Sequence, residues 1–336
     1  MNTRIAATEG SPSLRIAVAD ACERLLNGEV VALPTETVYG LAADATRADA
    51  VLKIFEVKER PLFDPLIVHL PRDDWLERVA DVPVESVALV RTLIARFWPG
   101  PLTLVLPRRL LLPEVVTSGL DTVAVRMSAH PVFRAIIQQF DKPLAAPSAN
   151  RFGRISPTTA AHVKQELGGR IPLIVDGGAT QHGLESTIIA VENERIRVLR
   201  SGPVTREDLA EFGTVEDDRS DEKVRAPGQL KSHYAPRTAL KVTRVDSLRE
   251  AVSQAGSLRH IGLLAWSRIP EPNPFDMVEV LSASGDLREA AATLFAKMRR
   301  LDEAGLELII AEAVPAHGLG VAIMDRLGKA AAHHVV

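Results

Sequence analysis

The chain is short of thiols: its 336 residues include one cysteine, Cys22. A single thiol excludes an intramolecular disulfide and a cysteine-based zinc cage, as suits a reducing cytoplasm, and no reactivity is expected of it. Aromatic residues make up only 4%, too few for a platform on which nucleobases stack. An excess of either charge is also missing. With a formal net charge of -3 and a pI near 6.3, the whole surface draws neither nucleic acid nor an anionic membrane, so any anion site must be assembled locally. No apolar run approaches the length of a membrane span, and the opening MNTRIAATEGSPSLR lacks the apolar stretch of a signal peptide. A cytoplasmic location with no membrane partner is expected. The chain shows no internal repeat, heptad run or low-complexity tract, and neither a GxxxxGK(S/T) loop nor a GxGxxG fingerprint.

What is present is an ordinary globular composition, 46% hydrophobic and 25% charged, in a chain long enough for two domains. LRIAVADACERLLNG has helical spacing that stops at Gly28, where VVALP continues with strand character. A loop then leads to a helix over roughly Ala48 to Val57, closed by Pro61, and PLIVHLP reads as a strand. VESVALVRTLIARFWPG predicts a helix ending at Trp98, LTLVLPRR and TVAVRMS two strands, HPVFRAIIQQFDKP a helix, and LAAPSAN a short strand running into a turn. SPTTAAHVKQELGG reads as a helix begun by serine and proline and ended at Gly168 and Gly169; IPLIVDGG, STIIAVEN and RIRVLRSG are strands. The charge-rich stretch from about Arg206 to Pro236 contains VEDDRSDEK, closes with APGQLKSHYAP, and is expected to be an interdomain linker. Beyond it LKVTRV, HIGLLAW, MVEVLS and LELIIAEAV alternate with helical segments, the order of a second, smaller α/β domain.

Charged and polar residues at strand ends point to chemistry, because burying them unpaired costs several kcal/mol, roughly 2–7 for a neutral polar group. Arg126 stands inside TVAVRMS, where its guanidinium needs a carboxylate or phosphate of fork geometry; a structural ion pair and a ligand site fit equally well. Lys58 and Arg60 lie at a helix end, where the macrodipole favours cations and where both can also grip a polyphosphate. His69 closes PLIVHLP and reads first as a hydrogen-bonded core histidine. PTETVYG places Thr35, Glu36, Thr37 and Tyr39 just after a strand, where open α/β sheets bind ligands. PSANRFGRISPT is dense in small residues that let backbone N–H groups approach an anion, and SPT at a helix start would add the positive end of a dipole. Ser186 and Thr187 begin one strand and Arg200 ends another.

Taken together and in this order, PTETVYGL, KERP with PLIVH, TVAVR, APSAN with SPT, LEST and LRSGP resemble the YrdC-like family of L-threonylcarbamoyladenylate synthases over residues 12–205, and the remainder resembles that family's two-domain branch. The resemblance implies an α/β fold: a twisted mixed sheet with a concave cleft over 12–205, a linker and active-site lid over 206–236, and a Rossmann-like α/β domain over 237–336. It implies a nucleotidyltransferase that makes threonylcarbamoyl-AMP and pyrophosphate from L-threonine, bicarbonate or CO2, and ATP, with Mg2+ arriving with the ATP. The product would pass to the machinery that modifies adenosine beside the tRNA anticodon, with tRNA binding by this chain not required. By motif, Thr37, His69, Arg126, Ala146 and Ser186 hold threonine, Arg126 on its carboxylate and Ala146 through its backbone. Lys58, Arg60, Asp64, Thr122, Ser148, Ser156, Arg200 and Tyr234 line the ATP, Lys58 and Arg60 supply electrostatic stabilisation, and Asn150 shapes its turn. No nucleophile or general base is assigned. Relatives often carry asparagine where this chain has Asp64, whose carboxylate must pair with a cation or magnesium to stand near phosphate. In the linker His233 and Tyr234 are firmer candidates than Gln229, Leu230 or Ser232.

Two other classes compete. A carbamoyltransferase of hydrogenase maturation contains a YrdC-like module together with zinc-finger segments that one cysteine cannot supply. An RNA-binding module using the concave face is opposed by the acidic pI and scarce aromatics.

Overall fold

The computed structural model describes residues 2–192, 194–217, 228, 233–256 and 258–332. The chain divides into two compact units: Met1–Phe152, Pro157–Gln181 and Glu185–Gln229 form the first, and Gly153–Ser156, His182–Leu184 and Leu230–Val336 the second.

The first unit is built on one mixed sheet of β1 (Arg4–Ala7), β2 (Val31–Leu33), β3 (Gly40–Asp44), β4 (Ile67–His69), β5 (Leu102–Pro107), β6 (Thr122–Arg126), β7 (Leu144–Ala145), β8 (Leu173–Asp176), β9 (Thr187–Glu192), β10 (Arg195–Arg200) and β11 (Thr214–Asp217). Their order is β1-β8-β2-β3-β7-β4-β6-β5-β9-β10-β11. Neighbours β1 and β8, β2 and β8, β4 and β6, β5 and β9, and β10 and β11 run parallel; the other pairs are antiparallel. The central strands carry mainly apolar or small side chains and, apart from Thr122, are buried, as helix-covered strands must be; the ionisable exceptions, Asp44, His69 and Arg126, stand at strand ends. Helix Ser11–Leu26 has proline in its first turn and buries Ala17, Val18, Ala21, Cys22 and Leu25, the 3.6-residue stripe that packs on the sheet. Helix Ala48–Lys58 ends because Glu59 turns left-handed at φ 55°. That turn hands the chain directly to Arg60 and Pro61.

Three local expectations change. GLAAD of the expected loop is β3, whose small residues let it lie between β2 and β7; a Cβ on Gly40 would come within 3.3 Å of Ala146 Cβ. Helix Ala160–Leu167 is capped by Thr159, not begun at Ser156, because Thr159 is the residue whose hydroxyl reaches a first-turn N–H. Within the stretch expected as linker, Arg206–Ala210 is a helix with a Thr205/Asp208 capping box and Thr214–Asp217 is β11, paired with β10. Buried Leu209 and Val215 hold that piece to the core, two apolar anchors among many charges. Gln229, Leu230 and Ser232 lie outside the described residues.

The second unit carries a four-stranded, wholly parallel sheet of β12 (Ala239–Thr243), β13 (Ile261–Ala265), β14 (Met277–Val280) and β15 (Leu308–Glu312), ordered β12-β15-β13-β14. Parallel pairing requires crossovers, and helices Leu248–Gln254 and Leu287–Asp302 provide two of them. Its core is aliphatic, with Leu263, Leu264, Ile309 and Ile310 fully buried.

Candidate active site

The loop after β2 is tied by its own hydroxyls. Thr35 Oγ1 accepts from the N–H groups of Thr37 and Val38 at 3.1 and 3.2 Å and lies 2.7 Å from Thr37 Oγ1. Tyr39 extends the anchoring, its hydroxyl donating to the Gly178 carbonyl at 2.7 Å. The loop is thereby fixed with Glu36 turned inward and 4% exposed. The Arg126 guanidinium, 3% exposed at the end of β6, donates to the Glu36 carboxylate and, at 3.2 Å, to Thr37 Oγ1. Ser128 donates to the other Glu36 oxygen. Arg126 Nε meets no acceptor among the described residues.

His69 stands opposite Arg126 in the β4–β6 register, so both side chains emerge on one face. Its ring lies 4.7 Å from that of Phe133. Burial, reinforced by Arg126, holds its pKa well below the ordinary histidine value, so the imidazole is neutral. Its Nδ1 also meets no acceptor among the described residues. Ala146 follows β7 and donates its N–H to the Ile67 carbonyl at 2.9 Å, so its backbone is partly committed to the sheet.

A second group gathers where helix Ala48–Lys58 ends. The Lys58 amine, 1% exposed, donates to the Ser148 and Asn150 carbonyls at 2.5 Å each. Burial, then Arg60, pushes its pKa well below the usual lysine range. Asn150 donates to the Arg151 carbonyl at 2.8 Å, which supports its expected part in shaping the turn. Arg60 pairs with the fully buried Asp64 at 2.9 Å and donates to the Asp64 and Pro65 main-chain carbonyls at 3.1 and 2.8 Å. The Asp64 carboxylate thus has the cationic partner it required.

Ser186 joins these groups differently from the sequence assignment, which put Ser186 and Arg200 on different substrates. Arg200 donates to the Ser186 carbonyl from Nε and Nη2 at 3.1 and 2.9 Å and to Ser186 Oγ at 3.1 Å, and that Oγ lies 2.8 Å from Thr103 Oγ1. Thr122 opens β6 and Arg126 closes it, a separation of about 13 Å along the strand; Thr122 therefore stands apart from the Arg126 group. Ser156 and Tyr234 belong to the second unit. There Tyr234, held at φ 64°, stacks on Phe295 with centroids 5.7 Å apart, and the fully buried Arg326 lies 5.2 Å from its ring centre.

Known proteins give the arrangement its context. Residues 23–202 match the Sua5, YciO and YrdC sequence family, described as "Telomere recombination", and residues 204–332 match a family described as "Threonylcarbamoyl-AMP synthase, C-terminal domain". The chain belongs to the Sua5/YciO/YrdC family. Among family relatives, the threonylcarbamoyl-AMP synthase of Bacillus subtilis is 42% identical over 95% of this chain and 94% of its own length, and that of Pyrococcus abyssi 38% identical over 92% of each. The crystal structure of P. abyssi Sua5 complexed with L-threonine matches with a TM-score of 0.84 at 36% identity, covering 98% of both chains. The expected α/β fold and family are thus borne out across both units.

Residue-by-residue reading named Glu36 within PTETVYG but gave it no role, although its carboxylate ties that motif to Arg126 and Ser128. Glu36, with Ser128 and Thr103, lines these groups without having been chosen as a site residue. The available signal was an acid bracketed by two threonines immediately after a buried strand. A long-range partner for Arg126 was required, but nothing local named it.

Proposed function

We infer that this chain is an L-threonylcarbamoyladenylate synthase, a nucleotidyltransferase that joins L-threonine, bicarbonate or CO2, and ATP into threonylcarbamoyl-AMP with release of pyrophosphate. The observation that carries the reading is the match to synthases along both units, with 42% identity over 95% of the chain. The product supplies the threonylcarbamoyl group for adenosine beside the tRNA anticodon, and the enzyme works in the cytoplasm. Among the described residues no helix is long and apolar enough to cross a membrane.

Threonine is held at the group around Arg126. The guanidinium takes the substrate carboxylate, supported by its free Nε, while Thr37, Ser186 and neutral His69 meet the hydroxyl and amine and Ala146 lines the pocket with backbone. ATP is bound by Lys58, Arg60, Arg200 and Ser148, with Asp64 behind Arg60 and Thr122 as a further contact. Magnesium enters with the triphosphate as substrate; among the described residues no group of three or more His, Cys, Asp or Glu is arranged to hold a metal ion. The free threonine amine adds to CO2 with loss of a proton, or condenses with bicarbonate with loss of water, to give the N-carboxylate; one of its oxygens attacks the α-phosphorus, the new P–O bond forms, and pyrophosphate leaves with the electrons of the broken bond. The attack brings anion to polyanion, so the work of these side chains is positioning and charge cancellation, with no covalent step.

The deciding assay measures pyrophosphate release by the full chain without RNA. Release should require both threonine and bicarbonate; equal release without threonine defeats the reading. Binding to RNA that is tight, falls steeply with salt and accompanies negligible ATP turnover would favour an RNA-binding module.

A further inference from the structure

The nucleotide-side group contains one buried carboxylate for which the reaction supplies no task. Asp64 is fully buried and its side chain pairs with Arg60. Arg60 is held by more than that carboxylate, because Nε and Nη2 also donate to two main-chain carbonyls, those of Asp64 and Pro65. A guanidinium held by two backbone acceptors beside a proline-fixed turn already has its direction set. What the carboxylate adds is charge. Burial raises its pKa, while Arg60, Lys58 and Arg200 in that order pull it down, so one acid and three cations share a common field.

We propose that Asp64 is a charge-tuning residue for pyrophosphate: acting through Arg60, it lowers the positive field of the Lys58, Arg60 and Arg200 group so that the leaving polyanion is gripped during reaction and released after it. The proposal rests on reading these cations as phosphate ligands. ATP and pyrophosphate are both polyanions, and attraction that acts equally on substrate and product gains no rate once the site is filled. A fourth charge of opposite sign, too buried to meet solvent, weakens that uniform attraction without moving the fork that aligns the phosphate. Release of product is then less of a brake on turnover.

The test compares product inhibition in the full-length wild type and in Asp64→Asn, which keeps shape and removes charge. The inhibition constant for pyrophosphate against ATP should fall about tenfold in the variant, the scale of one attenuated unit charge. The threonine KM should change less than about twofold, a split that general loosening of the fold would not produce. Unchanged or weaker pyrophosphate inhibition in a folded variant overturns the proposal. Should Asp64→Asn melt at assay temperature, Asp64→Ser and the thermal shift given by pyrophosphate alone read the same quantity. A larger shift in the variant supports the role, and an equal or smaller one refutes it. A wild type whose pyrophosphate release ignores threonine defeats the synthase reading itself, whereas a threonine-dependent wild type with an unaltered variant defeats only the role of Asp64.

Discussion

Among the described residues of the first unit, the buried guanidinium–carboxylate pairs Arg60–Asp64 and Arg126–Glu36 are built in opposite ways. Arg60 and Asp64 lie four residues apart on one turn, and backbone carbonyls also hold Arg60. Arg126 and Glu36 lie 90 residues apart and join the end of β6 to the loop after β2. The local pair is proposed to set a charge; the long-range pair joins two segments of the candidate site. Removing one member of the second strands an uncompensated buried ion and uncouples two segments, while changing the first alters mainly a field.

The sharpest break of this contrast is Arg126→Ala. Glu36 is then buried without its cation, and unfolding stability should fall by about 3 kcal/mol or more, read from denaturant midpoints. The threonine kcat/KM should fall at least about a hundredfold with a far smaller change for ATP. A variant of wild-type stability would show that the pair does not hold the loop.

Next in size is Lys58→Ala, which removes the donor joining the Ser148 and Asn150 carbonyls. It should lower kcat/KM for ATP about a hundredfold, the usual scale for one lost charge-stabilising donor, while threonine use suffers less. Steady-state kinetics showing the reverse substrate pattern for Arg126→Ala and Lys58→Ala would exchange the two halves of the site. Glu36→Gln should act more gently, because the amide still accepts from Arg126 while the charge is lost. A rise in threonine KM of about tenfold is expected, and no change would leave Glu36 as packing.

The pH dependence separates the groups further. His69 and His130 both have pKa values lowered by burial, so near pH 6 the unfolded chain binds protons that the folded chain refuses. Their contribution to stability is complete above the ordinary value of about 6.5 and is lost as pH falls toward the depressed folded values. Melting points between pH 7.5 and 5.5 should decline, and His69→Asn should flatten the decline; an unchanged slope would place the titration elsewhere. The smallest effect is expected at Cys22, whose thiol is buried and pushed up to about 11. Iodoacetamide should leave pyrophosphate release unchanged, and inactivation with labelling at Cys22 would show that this helix opens.

The contrast also marks what was legible. Helix Ala48–Lys58, β4, β6 and the four parallel strands of the second unit follow from local periodicity and breakers, and the structure places them where the patterns predict. β3 reads as loop because GLAAD has no β-branched or aromatic side chain; it is a strand because its neighbours complete the ladder. The helix and strand within Arg206–Asp217 were hidden because two buried apolar residues among many charges make no periodic signal. The candidate site residues were legible as an ordered set of motifs, and their pairings were not.

By itself the sequence determined the family, the alternation of helices and strands, the lack of disulfide and cysteine-zinc chemistry, and the residue types able to bind an anionic amino acid and a polyphosphate. Those properties reside in composition and short-range pattern, which each segment carries with it. Only the tertiary structure decided that Arg126 answers Glu36, that Lys58 closes on the Ser148 and Asn150 carbonyls, that Arg200 grips Ser186, and that Asp64 faces Arg60. The physical reason is desolvation: a charge removed from water must find its partner in three dimensions, and for all but Asp64 that partner lies outside its own turn of chain.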